Sequence, residues 1–462
     1  MAAAGFGGRG RARALCARWL AIWGRGLLLA AAVLLVGLGT VRVVGLVASQ
    51  LADGDDFTPY WNGAAAVAAG QDPYAWVSTA RHQETADYIY PPPLALLLAP
   101  LTRVVDYPTA RWLWLALGAA FVAVSVALVW RTSGLRARGV SALACAALIG
   151  LWPSLVSALA AGTLSPMLLL AVAGAYASLR AGRPLVAGGL VALAGYSKSF
   201  PALLAVYLLL RGRWRACLGV AATGIALLTW TLLALGWEAH WRYLSGVVPA
   251  QRFWFGATSN VSLTGVVTRL LSENPFTTPV AAAPVIAPAS IALAAAALLA
   301  ATACAVWRLP ADWESESLGF GLAVTAMLLV SPINGNGNLI LAIIPLTAAA
   351  ARVQADWPRG LRWLLIASLL LALPVEFGEL APVRAWYLEQ GAQVPVTELF
   401  WRQGWGNLLL DGPFCGLIAL WALVLRLSLQ RAGQRRVSGV CPAGDAAGLL
   451  AGRAPRARGE LA

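Results

Sequence analysis

Lysine is almost absent from this chain, and histidine is rare. Lys198 is the single lysine, and the sequence contains only two histidines. The six cysteines form no CxxC pair and follow no regular spacing, which argues against disulfide cross-links and against a zinc site. Charged residues make up only 12% of the chain, which is far below the share in an ordinary soluble domain. A nucleotide-binding fold of the Rossmann or P-loop type is not expected.

What the chain has in abundance is apolar surface. Hydrophobic residues account for 60% of its 462 positions, more than a soluble core of this size could bury. Apolar runs long enough to cross a bilayer of about 30 Å recur along the sequence. We therefore predict an all-α polytopic membrane protein with about 12 transmembrane helices. The predicted spans are 27–48, 110–130, 140–160, 163–179, 184–198, 200–211, 215–236, 285–307, 317–332, 338–353, 361–376 and 407–428.

The arginines predict the orientation, because cytoplasmic loops retain positive charge. All the arginine-rich connections fall on one side if residues 91–105 form a juxtamembrane or re-entrant helix that does not cross. The expected parts are a basic cytoplasmic N-terminus (1–26), an integral membrane domain (27–428) and a flexible basic cytoplasmic tail (429–462). The expected outer loops are 49–109, 237–284, 331–338 and 377–406. Long, chemically rich outer loops favour an enzyme that acts at the outer face over a transporter with polar groups at mid-membrane.

The stretch from Gly54 to Pro93 is the most polar part of the first outer loop. Asp53, Asp55 and Asp56 lie just beyond the predicted first helix, where a carboxylate could accept a proton from an incoming hydroxyl. An equally good interpretation is a helix N-cap, because Asp caps well and a short helix is predicted over 57–69. A divalent-metal site formed by two adjacent carboxylates is a weaker third possibility.

Lys198 lies in the motif GYSKSFP, inside an otherwise apolar hairpin near the outer face. An ionised group in such a place is costly and usually has a partner. An anionic phosphate is one candidate, with the neighbouring serine hydroxyls and the backbone amides freed by Pro201 as further donors. A snorkelling lysine or an internal salt bridge is the alternative.

The outer loop 237–284 combines aromatic and basic residues. Most of its aromatic side chains are expected to form an interfacial belt. The arginines are harder to explain, because the positive-inside pattern disfavours them outside, so Arg252 and Arg269 could bracket a phosphate. Asn260 begins an NVS triplet, which matches the short and unspecific glycosylation acceptor pattern.

Several motifs together resemble glycosyltransferase family 87, the polyprenol-phosphate-dependent mannosyltransferases. The ordered set covers most of the chain. It comprises GDDFTPYW from Gly54, GQDPY from Gly70, IYPPPLALLLAPL from Ile89, AGTLSP from Ala161, YSKSFPALLAVYLLLRGRWR from Tyr196, NVSLTGVVTRL from Asn260 and SPINGNGNLILAIIPL from Ser331.

The resemblance implies a membrane-embedded C-type glycosyltransferase (GT-C) fold and a concrete chemistry. Such enzymes move a sugar from a polyprenyl phosphate to an acceptor hydroxyl at the outer membrane face, with inversion. The family's catalytic aspartate corresponds to Asp56 before Phe57, with Asp55 as the fallback. The lysine of the family's K-x-F-P-like motif corresponds to Lys198, which implies contact with the donor phosphate.

One departure from the family concerns its late motif, where members often have histidine. This chain has Asn334, Asn336 and Asn338 there, and asparagine can hydrogen-bond a sugar but cannot shuttle protons near neutral pH. The candidate substrate-binding residues are Tyr60, Tyr90, Asn260, Asn334 and Asn336.

The expected protein is a hexosyltransferase of the bacterial plasma (inner) membrane, with mannose as the first candidate sugar. No cofactor and no metal are predicted, although a divalent metal would be compatible with the outer carboxylates. The expected partners are a polyprenyl-phosphate sugar donor, a lipid or glycan acceptor and membrane lipids, without nucleic acid. A transporter or flippase of lipid-linked saccharides is the alternative, because it would use the same lipid and a similar basic site.

Overall fold

The protein consists almost entirely of helices. A computed structural model describes residues 30, 34, 37–48, 56–75, 87–134, 152–356, 360–373 and 402–437, and the structural statements below concern these residues. In the described ranges, β structure is limited to two isolated bridges, Asn260 with Gly335 and Thr278 with Gln403. The helices are α1 (Gly37–Ala48), α2 (Phe57–Ala68), α3 (Pro92–Leu98), α4 (Tyr107–Ser133), α5 (Pro153–Ala160), α6 (Ser165–Arg180), α7 (Pro184–Ser197), α8 (Leu203–Leu210), α9 (Trp214–Arg242), α10 (Leu263–Leu271), α11 (Ile286–Arg308), α12 (Trp313–Val330), α13 (Ile343–Asp356), α14 (Gly360–Leu371) and α15 (Gly412–Val437).

Short 3-10 or π segments connect several of these helices. They are Leu101–Arg103, Phe200–Ala202, Tyr243–Val247, Gln251–Gly256, Asn336–Ala342 and Gly404–Asp411.

The apolar helices confirm a polytopic membrane protein. Five helical stretches in the described residues are long and apolar enough to cross a membrane, or six if the bent pair α5 and α6 forms one span. The five are Tyr107–Ser133, Trp214–Gly256, Ile286–Arg308, Asn336–Val353 and Gly404–Gln434. Shorter apolar helices lie at other predicted spans, among them α7 and Phe200–Leu210. The total of about twelve crossings stays a prediction.

Helix starts follow the local sequence. Asp106 caps α4 by accepting a hydrogen bond from the Thr109 amide at 3.0 Å. The same arrangement begins α12, where Asp312 accepts from the Ser315 amide at 3.0 Å. Such caps satisfy amide groups that have no partner within the helix, so they fix where each helix begins.

The AGTLSP motif forms a sharp turn between α5 and α6. The chain bends by 118° between the two helices, and Gly162 in the turn has a left-handed backbone with φ of 69°. Only Pro153–Ala160 of the predicted 140–160 span is helical in the described residues. At eight residues, α5 rises about 12 Å and cannot cross a bilayer alone. In the described residues, the chain therefore forms a bent helix pair where the spans 140–160 and 163–179 are predicted, and residues 140–151 of the first span lie outside the described residues.

The predicted outer loop 237–284 is largely helical in its first part. Helix α9 bends at Gly236, whose φ of 76° and ψ of 176° lie outside the helical region, and then continues to Arg242. The chain proceeds through a π segment and a 3-10 segment to Gly256. Kinks of this kind occur where glycine interrupts the helical hydrogen bonds. The bend at Gly236 coincides with the end of the predicted span 215–236, and the helical residues beyond it belong to the predicted outer loop 237–284.

Arginines from the predicted cytoplasmic loops meet at one end of the helix bundle. The buried Glu316 near the start of α12 pairs with Arg213 at 2.8 Å and with Arg211 at 3.6 Å. Arg180 lies over the ring of Trp313, with its guanidinium carbon 4.9 Å from the ring centroid. The spacing of these arginines in the sequence predicted that they share one side of the membrane. In the described residues, they lie together near the start of α12.

The last helix also contributes to this basic end. Arg431 contacts Glu314 at 3.1 Å and Asp312 at 3.4 Å. Helix α15 runs to Val437, so the prediction that a flexible tail begins at residue 429 is wrong for its first residues. The apolar pattern ends near residue 428, but the ion pairs to α12 extend the ordered helix.

A second, smaller core supports the outer segment, which comprises residues 237–284. It packs aromatic side chains of the first outer loop, including Phe57, Tyr60, Tyr74 and Tyr88, against Leu94 of α3. This core is separate from the main core, which involves α6, α12, α13 and α15. The first outer loop therefore has a hydrophobic core of its own, which supports its polar residues.

Candidate active site

Asp56 directly precedes α2 and is exposed. Its backbone has φ of −64° and ψ of −14°, and its side chain makes no capping hydrogen bond to the helix. An N-cap residue normally has an extended backbone and accepts an amide hydrogen bond. The capping interpretation of Asp56 is therefore wrong. The next residue, Phe57, is fully buried, so it fixes the start of α2 while the carboxylate stays accessible.

Tyr90 is held beside Asp56 by a firmly bonded loop. The Tyr74 hydroxyl donates to the Tyr90 carbonyl at 2.6 Å, and Gln251 Nε2 donates to the Ile89 carbonyl at 2.8 Å. The Tyr90 ring packs edge-on against Tyr60 of α2, with centroids 4.7 Å apart. Two segments far apart in sequence thus fix one aromatic ring next to the start of α2.

Lys198 completes this arrangement from the end of α7. Its ammonium lies 5.7 Å from the centroid of the Tyr90 ring and donates to Asn338 Oδ1 at 3.4 Å. The Asp56 carboxylate is within electrostatic range of the same ammonium. Asp56 and Lys198, singled out separately in the sequence, therefore face one region around Tyr90. This geometry does not favour the interpretation of Lys198 as a snorkelling lysine, because its ammonium contacts Asn338 Oδ1 and the Tyr90 ring.

The tyrosines near Asp56 are restricted to the neutral form. Burial, followed by the negative charge of Asp56, raises the pKa of Tyr90 above its usual value. Burial and the adjacent Tyr90 likewise raise the pKa of Tyr60. A phenol with a raised pKa is a poor proton acceptor near neutral pH. Among these three residues, Asp56 is the group suited to act as a base.

The late asparagine motif is joined to this region through Asn338. Asn338 Oδ1 accepts from the Ser165 hydroxyl at 2.8 Å, in addition to Lys198, and Asn336 Oδ1 accepts from the Ser154 hydroxyl at 2.8 Å. Asn334 is fully buried, and neither its side-chain oxygen nor its side-chain nitrogen has a hydrogen-bond partner within the described ranges. Buried amides without partners are rare, so Asn334 has unused capacity to bind a polar group.

Asn260 has a structural role. Its side-chain amide donates to the carbonyls of Phe255 and Pro332, each at 3.0 Å, and its Oδ1 accepts from the Asn334 backbone at 2.9 Å. These three hydrogen bonds join the outer segment to the asparagine motif. The geometry gives no support for direct substrate binding by Asn260, nor for its use as a glycosylation acceptor, because the side chain is buried.

The two candidate phosphate arginines differ sharply. Arg269 is fully buried, pairs with Asp411 through a short charge-assisted hydrogen bond, and donates to the carbonyls of Ala257 and Asn260 at 2.7 and 3.0 Å. Its guanidinium is thus engaged within the protein, which does not favour the predicted phosphate contact. Arg252 is exposed next to Gln251, in the segment that contacts the Tyr90 loop.

An apolar cleft lies beside this site, between α4 and the bent pair α5 and α6. It is open to the surface and is lined by residues such as Leu117, Phe121 and Met167. Trp114 at its edge donates from Nε1 to the Gly162 carbonyl at 2.8 Å and packs 5.3 Å from the Phe57 ring. An apolar surface therefore leads from the membrane-facing helices toward the start of α2.

Comparison with known proteins decides the family. The model of glycosyltransferase family 87 matches residues 88–332, which is more than half of the chain. The chain belongs to glycosyltransferase family 87. No curated protein and no solved structure matches it.

Membership of family 87 confirms the prediction of a membrane glycosyltransferase, which requires a sugar donor and an acceptor. Tyr90, Lys198, Arg252 and Arg269 lie within the matched residues, whereas Asp56 lies before them. The asparagines from Asn334 onward lie beyond them. The proposed role of Asp56 in this glycosyltransferase therefore depends on its position beside Tyr90 and Lys198.

The fallback residue, Asp55, lies outside the described residues. In the part of the glycosyltransferase that the structure describes, no three His, Cys, Asp or Glu side chains are grouped so that they could hold a metal ion. A carboxylate pair that includes Asp55 is outside that description.

Of the buried or paired arginines of the glycosyltransferase, Arg111 was missed in the sequence, and Arg242 was noted in the loop 237–284 without a role. Arg111 near the start of α4 is fully buried and donates to the carbonyls of Leu159 and Ala160 at the end of α5. Arg242 pairs with Asp72 at 2.8 Å and so fixes the GQDPY motif. Both arginines lie on the predicted outer side, where the positive-inside pattern disfavours them. That exception to the pattern was the available signal.

Proposed function

We propose that this family 87 glycosyltransferase moves a hexose, with mannose as the first candidate, from a polyprenyl phosphate to an acceptor hydroxyl. Inversion at the anomeric carbon and a GT-C fold are parts of the proposal. So are a position in a bacterial plasma membrane with cytoplasmic termini and a reaction at the outer face. The observation that supports it best is that Asp56 and Lys198 lie within electrostatic range of each other and that both are close to Tyr90.

The proposed reaction uses one base and one cation. Asp56 accepts the proton of the acceptor hydroxyl while that oxygen attacks the anomeric carbon, and the bond from this carbon to the phosphate oxygen breaks. Lys198 stabilises the departing phosphate, because negative charge on the phosphate increases in the transition state. Because attack and departure occur on opposite faces of the sugar, a single carboxylate is enough for inversion.

Further residues fit specific parts of this reaction. Arg252 is the second proposed phosphate contact, since it is exposed beside the Tyr90 loop. Asn334 and Asn336, with the neutral phenols of Tyr60 and Tyr90, are proposed to bind the sugar hydroxyls. Arg269 and Asn260 are not included, because their side chains bond within the protein.

A lipid donor is supported by the apolar cleft. Its lining residues on α4 and α6 suit an isoprenoid chain, and its upper edge at Trp114 contacts Phe57, the residue after Asp56. A lipid chain in this cleft would bring its phosphate toward the end of α7 without any nucleotide-binding domain. No step of the proposed reaction requires a metal ion.

The test is the variant Asp56→Asn, which keeps the side-chain shape and removes the base. We expect transfer from a synthetic polyprenyl-phosphate mannose to fall by about 10² to 10⁴-fold, the usual contribution of a general base. The measurement is mass analysis of the glycosylated acceptor and of released polyprenyl phosphate, using purified protein.

Asp106→Asn is a matched control, because Asp106 is exposed near the same end and asparagine caps α4 equally well. Normal transfer by Asp56→Asn would remove Asp56 as the base. Movement of the lipid-linked sugar across vesicles, without a new glycosidic bond, would support the flippase alternative instead.

A further inference from the structure

An aromatic cluster on the outer segment has no role in the reaction described above. It consists of Phe253, Trp254 and Phe276, whose ring centroids lie 5.0 to 5.6 Å apart. All three side chains are only half-buried, in contrast to the fully buried rings of the outer core. The cluster therefore presents aromatic surface beyond what its own packing uses.

This aromatic cluster is assembled by specific local contacts. Asn274 Oδ1 accepts from the backbone amides of Phe276 and Thr277 at 3.0 and 2.9 Å, which fixes the turn that presents Phe276. Gly256 allows this turn to approach, because a Cβ at that position would lie 2.5 Å from Asn274 Cγ. Two separate segments are thus locked together so that their rings form one surface.

The aromatic cluster is joined to the active site. Phe253 and Trp254 belong to the 3-10 segment Gln251–Gly256, in which Gln251 donates to the Ile89 carbonyl next to Tyr90. The rings therefore belong to a segment that is bonded directly to the loop that carries Tyr90. The Tyr90 loop is held by a second hydrogen bond, because the Tyr74 hydroxyl donates to the Tyr90 carbonyl.

The surroundings favour a sugar over a lipid chain. Arg252, directly before Phe253, and Glu273, three residues before Phe276, are exposed charged residues. The lipid-facing side of α9, by contrast, exposes aliphatic residues such as Leu233 and Ile225. A pyranose ring has an apolar C–H face and a rim of hydroxyls, so it matches an aromatic surface bordered by polar groups.

We propose that the aromatic cluster of Phe253, Trp254 and Phe276 binds a hexopyranose unit of an oligosaccharide acceptor, one or more residues away from the hydroxyl that is glycosylated. This inference rests on the proposed function, because it identifies the acceptor of that reaction as a glycan. The cluster sets acceptor affinity and takes no part in the chemical step.

The test compares a long and a short acceptor. The variants Trp254→Ala and Phe276→Ala are assayed with an alkyl-linked mannotriose and with octyl mannoside, which is too small to span both sites. We expect the KM for the trisaccharide to rise by about three- to tenfold per ring, as the loss of one aromatic contact implies. The kcat and the KM for octyl mannoside should stay within about twofold of wild type.

Trp237→Ala is the matched control, since Trp237 is 64% exposed on α9 and lies outside the aromatic cluster. It should behave like wild type with both acceptors. An equal rise of both KM values, or an effect of Trp237→Ala as large as that of Trp254→Ala, would show a membrane-interface anchor and overturn the proposal.

A binding measurement separates this inference from the proposed function. Saturation-transfer NMR with free mannotriose and purified protein detects binding without any transfer. We expect a signal with wild type that is lost in Trp254→Ala. No signal with wild type, or equal signals from both proteins, overturns the inference. Binding that depends on Trp254 in a protein that transfers no sugar would support the inference and contradict the proposed reaction.

Discussion

At the scale of single residues, Lys198 shows how a rare residue type indicates a site. It is the only lysine of the chain, and it is directed at Asn338 and the Tyr90 ring. Cation–π contact and one long hydrogen bond do not fully satisfy an ammonium with three donors. A phosphate oxygen would supply the missing acceptor.

The variant Lys198→Met tests this role while it keeps the length of the side chain. We expect kcat/KM for a polyprenyl-phosphate sugar to fall by about 10² to 10³-fold, similar to removal of one oxyanion donor. Lys198→Arg should retain more activity, because its positive charge is kept although its geometry differs. Steady-state transfer assays provide the comparison. Activity of Lys198→Met within twofold of wild type would show that this lysine merely fills space at the end of α7.

The residue types in the sequence singled out the two groups proposed to react, but not their neighbours. Asp56 and Lys198 stood out because charge is scarce in an apolar chain. Asn338, Tyr74 and Gln251 could not be connected to them, because these contacts join positions far apart in the chain. Lys198 and Asn338, for example, are separated by 140 positions. No periodic pattern marks such a pair, so its discovery requires the folded chain.

At the scale of elements, the turn between α5 and α6 positions the start of α2. A Cβ added to Gly162 would lie 2.9 Å from Phe57 Cβ and 3.1 Å from Arg111 Cζ, and the residue has a positive φ of 69°. The absence of a side chain therefore lets Phe57 and Arg111 pack directly against the turn. Apolar patterning did not predict the sharp bend here, because it does not record the direction change that one glycine permits.

We expect Gly162→Ala to displace Phe57, and with it Asp56, and so to lower both activity and stability. Gly182→Ala is the control, because Gly182 has φ of 68° and no atom within 4 Å of the added Cβ. A left-handed alanine costs about 1 to 2 kcal/mol in either variant. Thermal unfolding should therefore shift in both proteins, whereas transfer should fall only in Gly162→Ala. Equal activity in the two variants would mean that the turn does not position Asp56.

At the scale of the whole molecule, the distribution of arginine has two different meanings. Arg180, Arg211 and Arg213 lie at one end of the bundle, as the positive-inside pattern predicted from spacing. Arg111, Arg242 and Arg269 lie toward the other end, and each is bonded to carbonyls or a carboxylate. Sequence patterns could separate the two groups but could not supply the partners of the second group.

Arg269 and Asp411 connect α10 to the start of α15 across 142 positions of sequence. Both side chains are almost completely buried. Breaking such a pair leaves one uncompensated charge inside the protein and typically costs about 3 to 5 kcal/mol. The pair therefore stabilises the junction between the outer segment and the last helix.

We expect Arg269→Met and Asp411→Leu each to lower the thermal unfolding temperature strongly, while the double variant recovers much of the loss. Removing both charges eliminates the buried unpaired group, and apolar replacements of similar size are often well tolerated. A direct role of Arg269 in phosphate binding predicts a different pattern, in which Arg269→Met lowers donor affinity at normal stability and Asp411→Leu does not restore it. Unfolding temperature and donor KM, measured on the same three proteins, decide between these roles because only a structural ion pair gives recovery in the double variant.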